Sequence, residues 1–351
     1  MTQQSLKILG STFEEATKYI AKEFGKGSYH AAGICREIFK NGNVNISNAK
    51  EFENSKKLGR LVEKKISLNT GKIFDTIFDG NTTKYITILK DELKVESVLV
   101  PMKNYTTLCI SSQVGCRFGC VFCETGKNGF IRNLTTEEIV GQLYNARFHL
   151  KNRSIKNIVF MGMGEPLDNT DNVIKAIKVF SDQRCFNIPM KNITLSTIGI
   201  PDQLQFLGSN LIPGPNLAVS LNSATDHIRS KIMPVNRKHS LKELKKALLA
   251  YPLRKNSILF FGYVLMEGMN DSYRDARALI DFIVPFKARV NIIPFNPNSC
   301  DGIKTPSYLK VKEFSKWLSE ESVFVRMRTS KGSGLMAACG QLGQNIGKRK
   351  G

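Results

Sequence analysis

Three cysteines stand close together in the segment CRFGCVFC, at Cys116, Cys120 and Cys123. Cysteine thiolates are ligands for zinc and for iron–sulfur clusters. A four-iron cluster normally takes four cysteines, so a set of three leaves one iron open to an outside ligand. Zinc with an open coordination position and ordinary buried cysteines are the alternative interpretations.

The C-x3-C-x2-C spacing resembles the radical S-adenosylmethionine superfamily, in which the open iron binds the amino and carboxylate groups of S-adenosylmethionine. The aromatic Phe122, just before the last cysteine, fits the same pattern. The segment MGMGEP follows one strand–helix unit later and resembles the glycine-rich contact of that superfamily. Gly162 and Gly164 would let the backbone approach a ligand closely. Glu165 could accept a hydrogen bond from the ligand's ammonium group.

Further residues, most of them polar, end later strand-like segments and give candidate contacts to S-adenosylmethionine. Any one of them could be a simple strand-end cap. Because they end neighbouring strands, we expect them to surround one mouth of the sheet together with Gly164 and Glu165. These residues are Ser196, Ser220, Leu221, Asn222 and Asn296.

The elements that must position these residues alternate between strand and helix from about residue 105 onward. Strand-like segments include TTLCISS, IKNIVFMGMG, KNITLST, NLAVSLN, ILFFGYVL and RVNIIPF, with VFVRMRT as a candidate last strand. Helical segments are predicted over 135–150, 170–182, 240–250, 272–284 and 308–320. About six βα units predict an α/β fold, a partial (βα)6 barrel with its site at the carboxyl ends of the strands.

The amino-terminal part has a different pattern. Residues 1–75 look helical and highly charged, whereas TKYITIL and KVESVLV alternate with period two and predict a β-hairpin. We therefore expect a helical accessory domain over 1–80, a β-hairpin linker over 81–105 and the partial barrel over 106–351, with a catalytic cysteine loop near its carboxyl terminus.

The composition of the 351-residue chain indicates a polyanionic partner. Lys and Arg number 51 and Asp and Glu 30, which gives a formal net charge of +21. Nucleic acid is the natural partner for such an excess, and a basic proteome or a solubility device is the alternative. We find no signal peptide and no apolar run of about 18 residues, so we expect a cytoplasmic protein and no membrane partner. In a reducing cytosol the eight cysteines indicate metal binding or catalysis rather than disulfides.

The segments TLCISSQVGC, GMGEPL, STIG, IPFNP and AACGQL together resemble the RlmN/Cfr family of radical S-adenosylmethionine RNA methyltransferases. The resemblance runs from about residue 90 to 343 and extends more weakly into the amino-terminal helices, where the family carries an accessory RNA-binding domain. It implies a monomeric, [4Fe–4S]-dependent enzyme that methylates C2 or C8 of an adenosine in 23S rRNA or tRNA, with a flavodoxin-type electron donor.

The resemblance also implies roles for three residues outside the cysteine cluster. Cys339 matches the family's S-methylcysteine intermediate, and two S-adenosylmethionine molecules are used per turnover. Cys109 matches the cysteine that resolves the protein–RNA adduct through a transient disulfide with Cys339. Glu96, in VESVLVP, matches the family's proton acceptor. Without the family, Cys109 would be interpreted as a small core residue and Glu96 as a solvent-facing strand residue.

Three positions bear on which reaction and which RNA are involved. Pro166 stands where Cfr proteins typically have alanine, which favours C2 methylation. Glu124 stands where the family usually has a small residue, and Asn222 where it usually has histidine. These departures leave open a divergent paralogue with another RNA target.

Two other functions remain as alternatives. A methylthiotransferase would need a second cluster, for which the amino-terminal region offers only Cys35. A non-catalytic RNA-binding or ribosome-assembly protein belongs to a different class, and the intact cysteine set argues against it.

Overall fold

The structure, a computed structural model, describes residues 5–300, 302–328, 336 and 338–343. The α-helices in these ranges are α1 Phe13–Phe24, α2 Ser28–Cys35, α3 Lys56–Lys65, α4 Glu124–Lys127, α5 Thr136–Tyr144, α6 Thr170–Ser181, α7 Pro201–Asn210, α8 Asp226–Ile232, α9 Leu241–Ala250, α10 Tyr273–Ile283 and α11 Tyr308–Glu320. The strands are β1 Leu6–Lys7, β2 Ile66–Ser67, β3 Lys72–Asp79, β4 Thr82–Ile88, β5 Lys94–Pro101, β6 Thr106–Ile110, β7 Gln113–Gly115, β8 Phe130–Asn133, β9 Ile155–Phe160, β10 Ile193–Thr197, β11 Asn216–Ser220, β12 Leu259–Leu265, β13 Ala288–Pro294 and β14 Val325–Met327.

Six parallel strands form the centre of the main sheet, in the order β6, β9, β10, β11, β12 and β13. The short strand β14 adds a further parallel strand beside β13. Helices separate these strands along the chain, so the predicted βα alternation is confirmed. The sequence patterns missed α7, α8 and the small β7–β8 hairpin that brackets the cysteine segment.

The sheet continues beyond β6 into an antiparallel extension made of β5, β4 and β3. The predicted hairpin is confirmed as β4 and β5. The boundary at residue 80 is wrong, because Lys72–Asp79 is a strand that pairs with β4 across a turn at Gly80. Helix in the amino-terminal region ends at Lys65. The extension is thus part of the barrel sheet rather than a linker.

The amino-terminal helices pack on the outer helices of the barrel and share its hydrophobic core. The rings of Phe39 and Phe186 lie 5.1 Å apart, and the Tyr144 hydroxyl donates to the Gly42 carbonyl over 3.1 Å. Among the described residues, no helix has both the length and the apolar character needed to cross a membrane.

The extension places chemically important residues on the interior face of the sheet. Paired residues on neighbouring strands share a face, and successive residues alternate. Cys109 pairs with Val98, which pairs with Lys84, and Glu96 lies two residues before Val98. Tyr85 points to the opposite face, where its hydroxyl donates to Gln142 of α5 over 2.6 Å. Lys84, Glu96 and Cys109 therefore face the barrel interior.

Candidate active site

The cysteine segment, residues 116–123, forms a tight loop that begins directly after β7. Gly115 has a φ of +78° and lies so close to Gly129 that a Cβ would come within 1.9 Å of the Gly129 carbonyl oxygen. The Cys116 amide donates to the same carbonyl over 2.8 Å. Only glycine permits this approach, so Gly115 fixes where the first cysteine leaves the sheet.

The three thiols lie near one another in a poorly hydrated pocket. Burial raises the pKa of Cys116 to about 12, and it also raises the pKa of Cys120 and Cys123. The neighbouring thiols raise the pKa of Cys120 further. Within the described ranges, no group of three Cys, His, Asp or Glu side chains is arranged to hold a single metal ion. Three thiolates could share this pocket only with a compensating positive centre.

The MGMGEP segment follows β9 and packs against the cysteine loop. A Cβ at Gly162 would lie 2.6 Å from the Ile110 carbonyl oxygen, and one at Gly164 would lie 2.4 Å from the Gln113 side chain. Both glycines thus make room for this protein's own chain, and the close approach of a ligand to them remains a prediction. At Gly164 a φ of +92° adds a second reason for glycine.

Glu165 is buried and joins the ends of two strands. Its carboxylate accepts from the Leu167 amide over 3.0 Å and from the Ile198 amide, after β10, over 2.9 Å. Burial raises the pKa of Glu165 to about 7. The carboxylate is therefore held at the mouth of the sheet by backbone donors, and its predicted contact with an ammonium group remains a prediction.

The other candidate cofactor contacts lie at strand ends, as expected. Ser196 and Ser220 are half-buried and end β10 and β11, and Leu221 is fully buried. Asn222 has a φ of +58°, a conformation that asparagine tolerates better than histidine. Its side chain accepts from the Val264 amide over 2.8 Å and contacts the Met233 sulfur over 3.2 Å. The side chain at this departure from the family is therefore engaged inside the protein.

The segment around Cys339 docks onto the cysteine loop and onto β5. The Glu124 amide, next to Cys123, donates to the Gly340 carbonyl over 2.8 Å, and the Thr125 hydroxyl donates to the Leu342 carbonyl over 2.6 Å. The Gly343 amide donates to Glu96 Oε2 over 3.1 Å. Asn296 donates to the Cys339 carbonyl over 2.9 Å. These contacts bring four parts of the sequence to one mouth.

Glu96 is only 1% exposed, so the interpretation as a solvent-facing residue is wrong. Its carboxylate Oε2 lies 3.7 Å from Nζ of Lys84, which is 2% exposed. Lys84 also donates to the carbonyl of Met336 over 3.3 Å. One buried lysine thus connects the predicted proton acceptor to the segment that carries Cys339.

Cys109 and Cys339 are free thiols, and Cys339 lies close enough to influence the ionisation of Cys109. Burial raises the pKa of Cys109, and the nearby Cys339 raises it further. The Cys339 residue is exposed, yet protein surrounds its thiol closely enough to raise the pKa, while Arg328 opposes that rise.

Glu124, the other departure from the family, is buried rather than free beside the cysteines. Its carboxylate accepts from the Ser299 hydroxyl over 2.6 Å and from the Ser299 amide over 3.2 Å. The residue therefore ties the cysteine loop to the segment that follows β13.

Sequence reasoning missed three charged residues at this mouth, namely Lys84, Arg229 and Arg328. Arg229 is fully buried, and its guanidinium donates to the carbonyls of Leu221 and Ile198 and to Asn236. Burial lowers the pKa of Arg229 to about 10, while the nearby Cys120 opposes this change. These three residues lie in segments without a recognisable motif, so the sequence alone did not mark them as functional.

Known proteins are similar to this chain in sequence. Residues 110–280 match the family model described as the Radical SAM superfamily. The probable dual-specificity RNA methyltransferase RlmN 1 of Protochlamydia amoebophila is 40% identical over 98% of this chain and 96% of that protein. The dual-specificity RNA methyltransferase RlmN of Geotalea uraniireducens is 39% identical over 98% of each chain. The chain belongs to the RlmN family of radical S-adenosylmethionine RNA methyltransferases.

A solved structure supports the fold of this RlmN family member. The crystal structure of a radical SAM methyltransferase from Sphaerobacter thermophilus matches with a TM-score of 0.87 at 30% identity, over 96% of this chain and 98% of that one. The predicted family and the predicted partial radical SAM barrel are therefore both confirmed.

Membership of the RlmN family implies a [4Fe–4S] cluster and S-adenosylmethionine, and the residues present fit both groups. The donor set on the loop is purely thiol, which suits iron–sulfur ligation, and no carboxylate or imidazole competes within the motif. Hydroxyl, amide and carboxylate groups lie at the ends of the neighbouring strands, where S-adenosylmethionine could be held.

Proposed function

We propose that this protein methylates C2 of an adenosine in RNA through a methylated Cys339. The observation that carries the proposal is the docking of the Cys339 segment between the cysteine loop and Glu96. A methyl group on Cys339 would lie near Cys109, whose ionisation Cys339 influences, in a segment that is hydrogen-bonded to the cysteine loop. Docking of the base at the same mouth would complete the arrangement.

The cofactors have proposed positions in this arrangement. Cys116, Cys120 and Cys123 would hold the cluster, and the candidate residues for S-adenosylmethionine are Gly164, Glu165, Ser196, Ser220, Leu221, Asn222 and Asn296. When bound, the two groups supply the methyl group, the radical that removes a hydrogen atom from it, and a one-electron acceptor. Two S-adenosylmethionine molecules are used for each methyl group transferred.

The remaining chemistry belongs to three side chains of this protein. The Cys339 sulfur accepts the methyl group, whose carbon then bonds to the adenine carbon. Glu96 accepts the proton that leaves that carbon. The Cys109 thiolate attacks the Cys339 sulfur, which forms a disulfide, breaks the sulfur–carbon bond and releases the modified base after protonation.

RNA is the proposed substrate for two reasons. Relatives at about 40% identity are named RNA methyltransferases, and the net charge of +21 suits a polyanionic partner. An adenosine of 23S rRNA, of tRNA or of both is the proposed target. The amino-terminal helices are the proposed accessory RNA-binding domain, and a flavodoxin-type protein is the proposed electron donor to the monomeric enzyme.

The mechanism is tested with cysteine variants of the anaerobically reconstituted enzyme. Cys339→Ala should form no methylated adenosine, and Cys109→Ala should accumulate a covalent protein–RNA adduct. Cys300→Ala, which removes another half-buried thiol with no assigned role, is the matched control. Methylation by Cys339→Ala would refute the methylcysteine route, and the absence of an adduct with Cys109→Ala would remove the role of Cys109.

Mass spectrometry of digested RNA decides the position of the methyl group. 2-Methyladenosine is the expected product, and 8-methyladenosine would instead assign the Cfr-like reaction. Iron and sulfide analysis with an assay for 5′-deoxyadenosine addresses the remaining alternative. A protein that binds RNA without a cluster and without forming 5′-deoxyadenosine would be a non-catalytic RNA-binding protein.

A further inference from the structure

A row of arginines lines the interior face of the last two strands of the barrel. Arg326 pairs with Asn291 across β14 and β13. Arg289, two residues earlier on β13, and Arg328, directly after the end of β14, share that face. The Nε of Arg328 donates to the Asn291 side chain over 3.2 Å. Val290 is buried in the core that also includes α10 and α11, which shows that the arginines point the other way.

This row carries positive charge that the described part of the chain does not balance. Arg36, Arg117, Arg132 and Arg277 each form an ion pair with an acid. None of the three arginines in the row forms one among the described residues. The buried Nε of Arg289 has no hydrogen-bond partner there, although its guanidinium stacks over the Phe324 ring at 4.2 Å.

The charges of Arg289 and Arg326 are close enough to affect Arg328, and Arg328 in turn lies near Cys339. Burial lowers the pKa of Arg328, and the positive charges of Arg326 and Arg289 lower it further, while the nearby Cys339 opposes the change. Three uncompensated guanidinium groups in one wall repel each other. An anion bound along the row would relieve that repulsion.

We propose that Arg289, Arg326 and Arg328 bind phosphates of the RNA strand next to the target adenosine. This inference rests on the proposed function, because it takes RNA as the substrate. Guanidinium groups match phosphate geometry well, and phosphate contacts position a nucleic acid without reading its sequence. Since β14 is the last strand at this edge of the described sheet, the row borders the open side of the partial barrel, where a long strand can lie.

The carboxylate of S-adenosylmethionine is the other anion expected at this mouth. Most of its candidate contacts end β9, β10 and β11, whereas the row lies on β13 and β14. Binding of RNA and binding of S-adenosylmethionine are therefore measured separately, so that the source of the anion can be identified.

The test uses Arg326→Gln and Arg289→Gln/Arg326→Gln in the reconstituted holoenzyme. Arg274→Gln, which removes an exposed arginine from the outer helix α10, is the matched control. The probe is a fluorescein-labelled RNA stem-loop with unpaired adenosines, and its affinity is measured by anisotropy at several salt concentrations. On a single strand, each phosphate contact contributes about 0.7 to the slope of log affinity against log salt concentration. At 0.1 M salt, the loss of one contact therefore weakens RNA binding about fivefold.

We expect Arg326→Gln to bind this RNA about fivefold more weakly with a shallower salt slope, and the double variant to lose about 25-fold. The affinity of Arg274→Gln for the RNA should equal that of the wild type. The dissociation constant for radiolabelled S-adenosylmethionine should be the same in all variants. Equal slopes for Arg326→Gln and Arg274→Gln would overturn the proposal. So would weaker S-adenosylmethionine binding with unchanged RNA binding, which would assign the row to the cofactor carboxylate.

Methylation by the wild-type enzyme is measured on the same RNA, which separates the two proposals. Unchanged salt slopes together with methylated adenosine would refute the arginine row and leave the proposed function in place. Reduced slopes without any methylated adenosine would support the row as an RNA-binding site and refute the proposed function.

Discussion

The buried pair of Lys84 and Glu96 gives the sharpest test of how the active site is built. The substitution is Lys84→Met, which keeps the length of the side chain but removes its charge. In the wild type, Lys84 Nζ and Glu96 Oε2 lie 3.7 Å apart, and the two side chains are 2% and 1% exposed. At an effective dielectric constant of about 20, their attraction is about 4 kcal/mol. Removing one partner of a buried pair typically costs about 3–5 kcal/mol, because the other charge is left uncompensated.

Lys84→Met should therefore lower the free energy of unfolding by about 3–5 kcal/mol, measured by urea unfolding under anaerobic conditions. It should also reduce methyl transfer to RNA, since the lysine holds the Met336 carbonyl as well as Glu96. Lys90→Met is the matched control, because Lys90 is exposed in the neighbouring turn, and we expect a change within about 0.5 kcal/mol.

A double-mutant cycle with Glu96→Gln shows whether the lysine acts through the glutamate. If it does, the double variant should be more stable than the sum of the single effects predicts, by about 1–3 kcal/mol. The reasoning is refuted if Lys84→Met behaves like Lys90→Met, or if the two single effects simply add.

Two further predictions concern the same mouth. Thr125→Val leaves the buried Leu342 carbonyl without its donor, so we expect the free energy of unfolding to fall by about 1–3 kcal/mol. Methylation of Cys339, measured by peptide mass spectrometry, should be slower, while S-adenosylmethionine binding should not change. Burial raises the pKa of Glu165 from its ordinary 4.5 to about 7. The protonated carboxyl therefore contributes fully to the free energy of unfolding below pH 4.5, and this contribution falls by about 3 kcal/mol as the pH rises from 4.5 to 7. Glu165→Gln should not show this loss. Parallel curves of stability against pH for the wild type and Glu165→Gln would contradict the raised pKa of Glu165.

Much of the barrel could be predicted because its strands and helices have clear periodic patterns. α7 and α8 were missed for local reasons. α7 begins at Pro201 directly after a glycine-containing strand end, and α8 has seven residues, too few for a clear period. β3 was assigned to the helical region because it is an edge strand whose residues are exposed or half-buried, so no alternation marks it.

The environment of the candidate site could not be predicted from local patterns. The family segments singled out Cys339 and Glu96 as candidates, but Glu96 accepts a hydrogen bond from the amide of Gly343, which lies 247 positions later in the chain. Lys84 meets Met336 across 252 positions. Contacts of this kind leave no periodic signal, so Lys84 looked like an ordinary basic residue in a strand.

The contacts of the Cys339 segment give the proposed methyl carrier a defined position within the radical SAM fold. On one side the segment is held by groups that directly follow Cys123, the Glu124 amide and the Thr125 hydroxyl. On the other side it is held by Glu96 and Lys84, which come from the antiparallel extension of the sheet. The position of Cys339 therefore depends on the shape of the cysteine loop and on the strand of the proposed base at once. The antiparallel extension thus does more than lengthen the sheet, because it supplies the second of these two anchors.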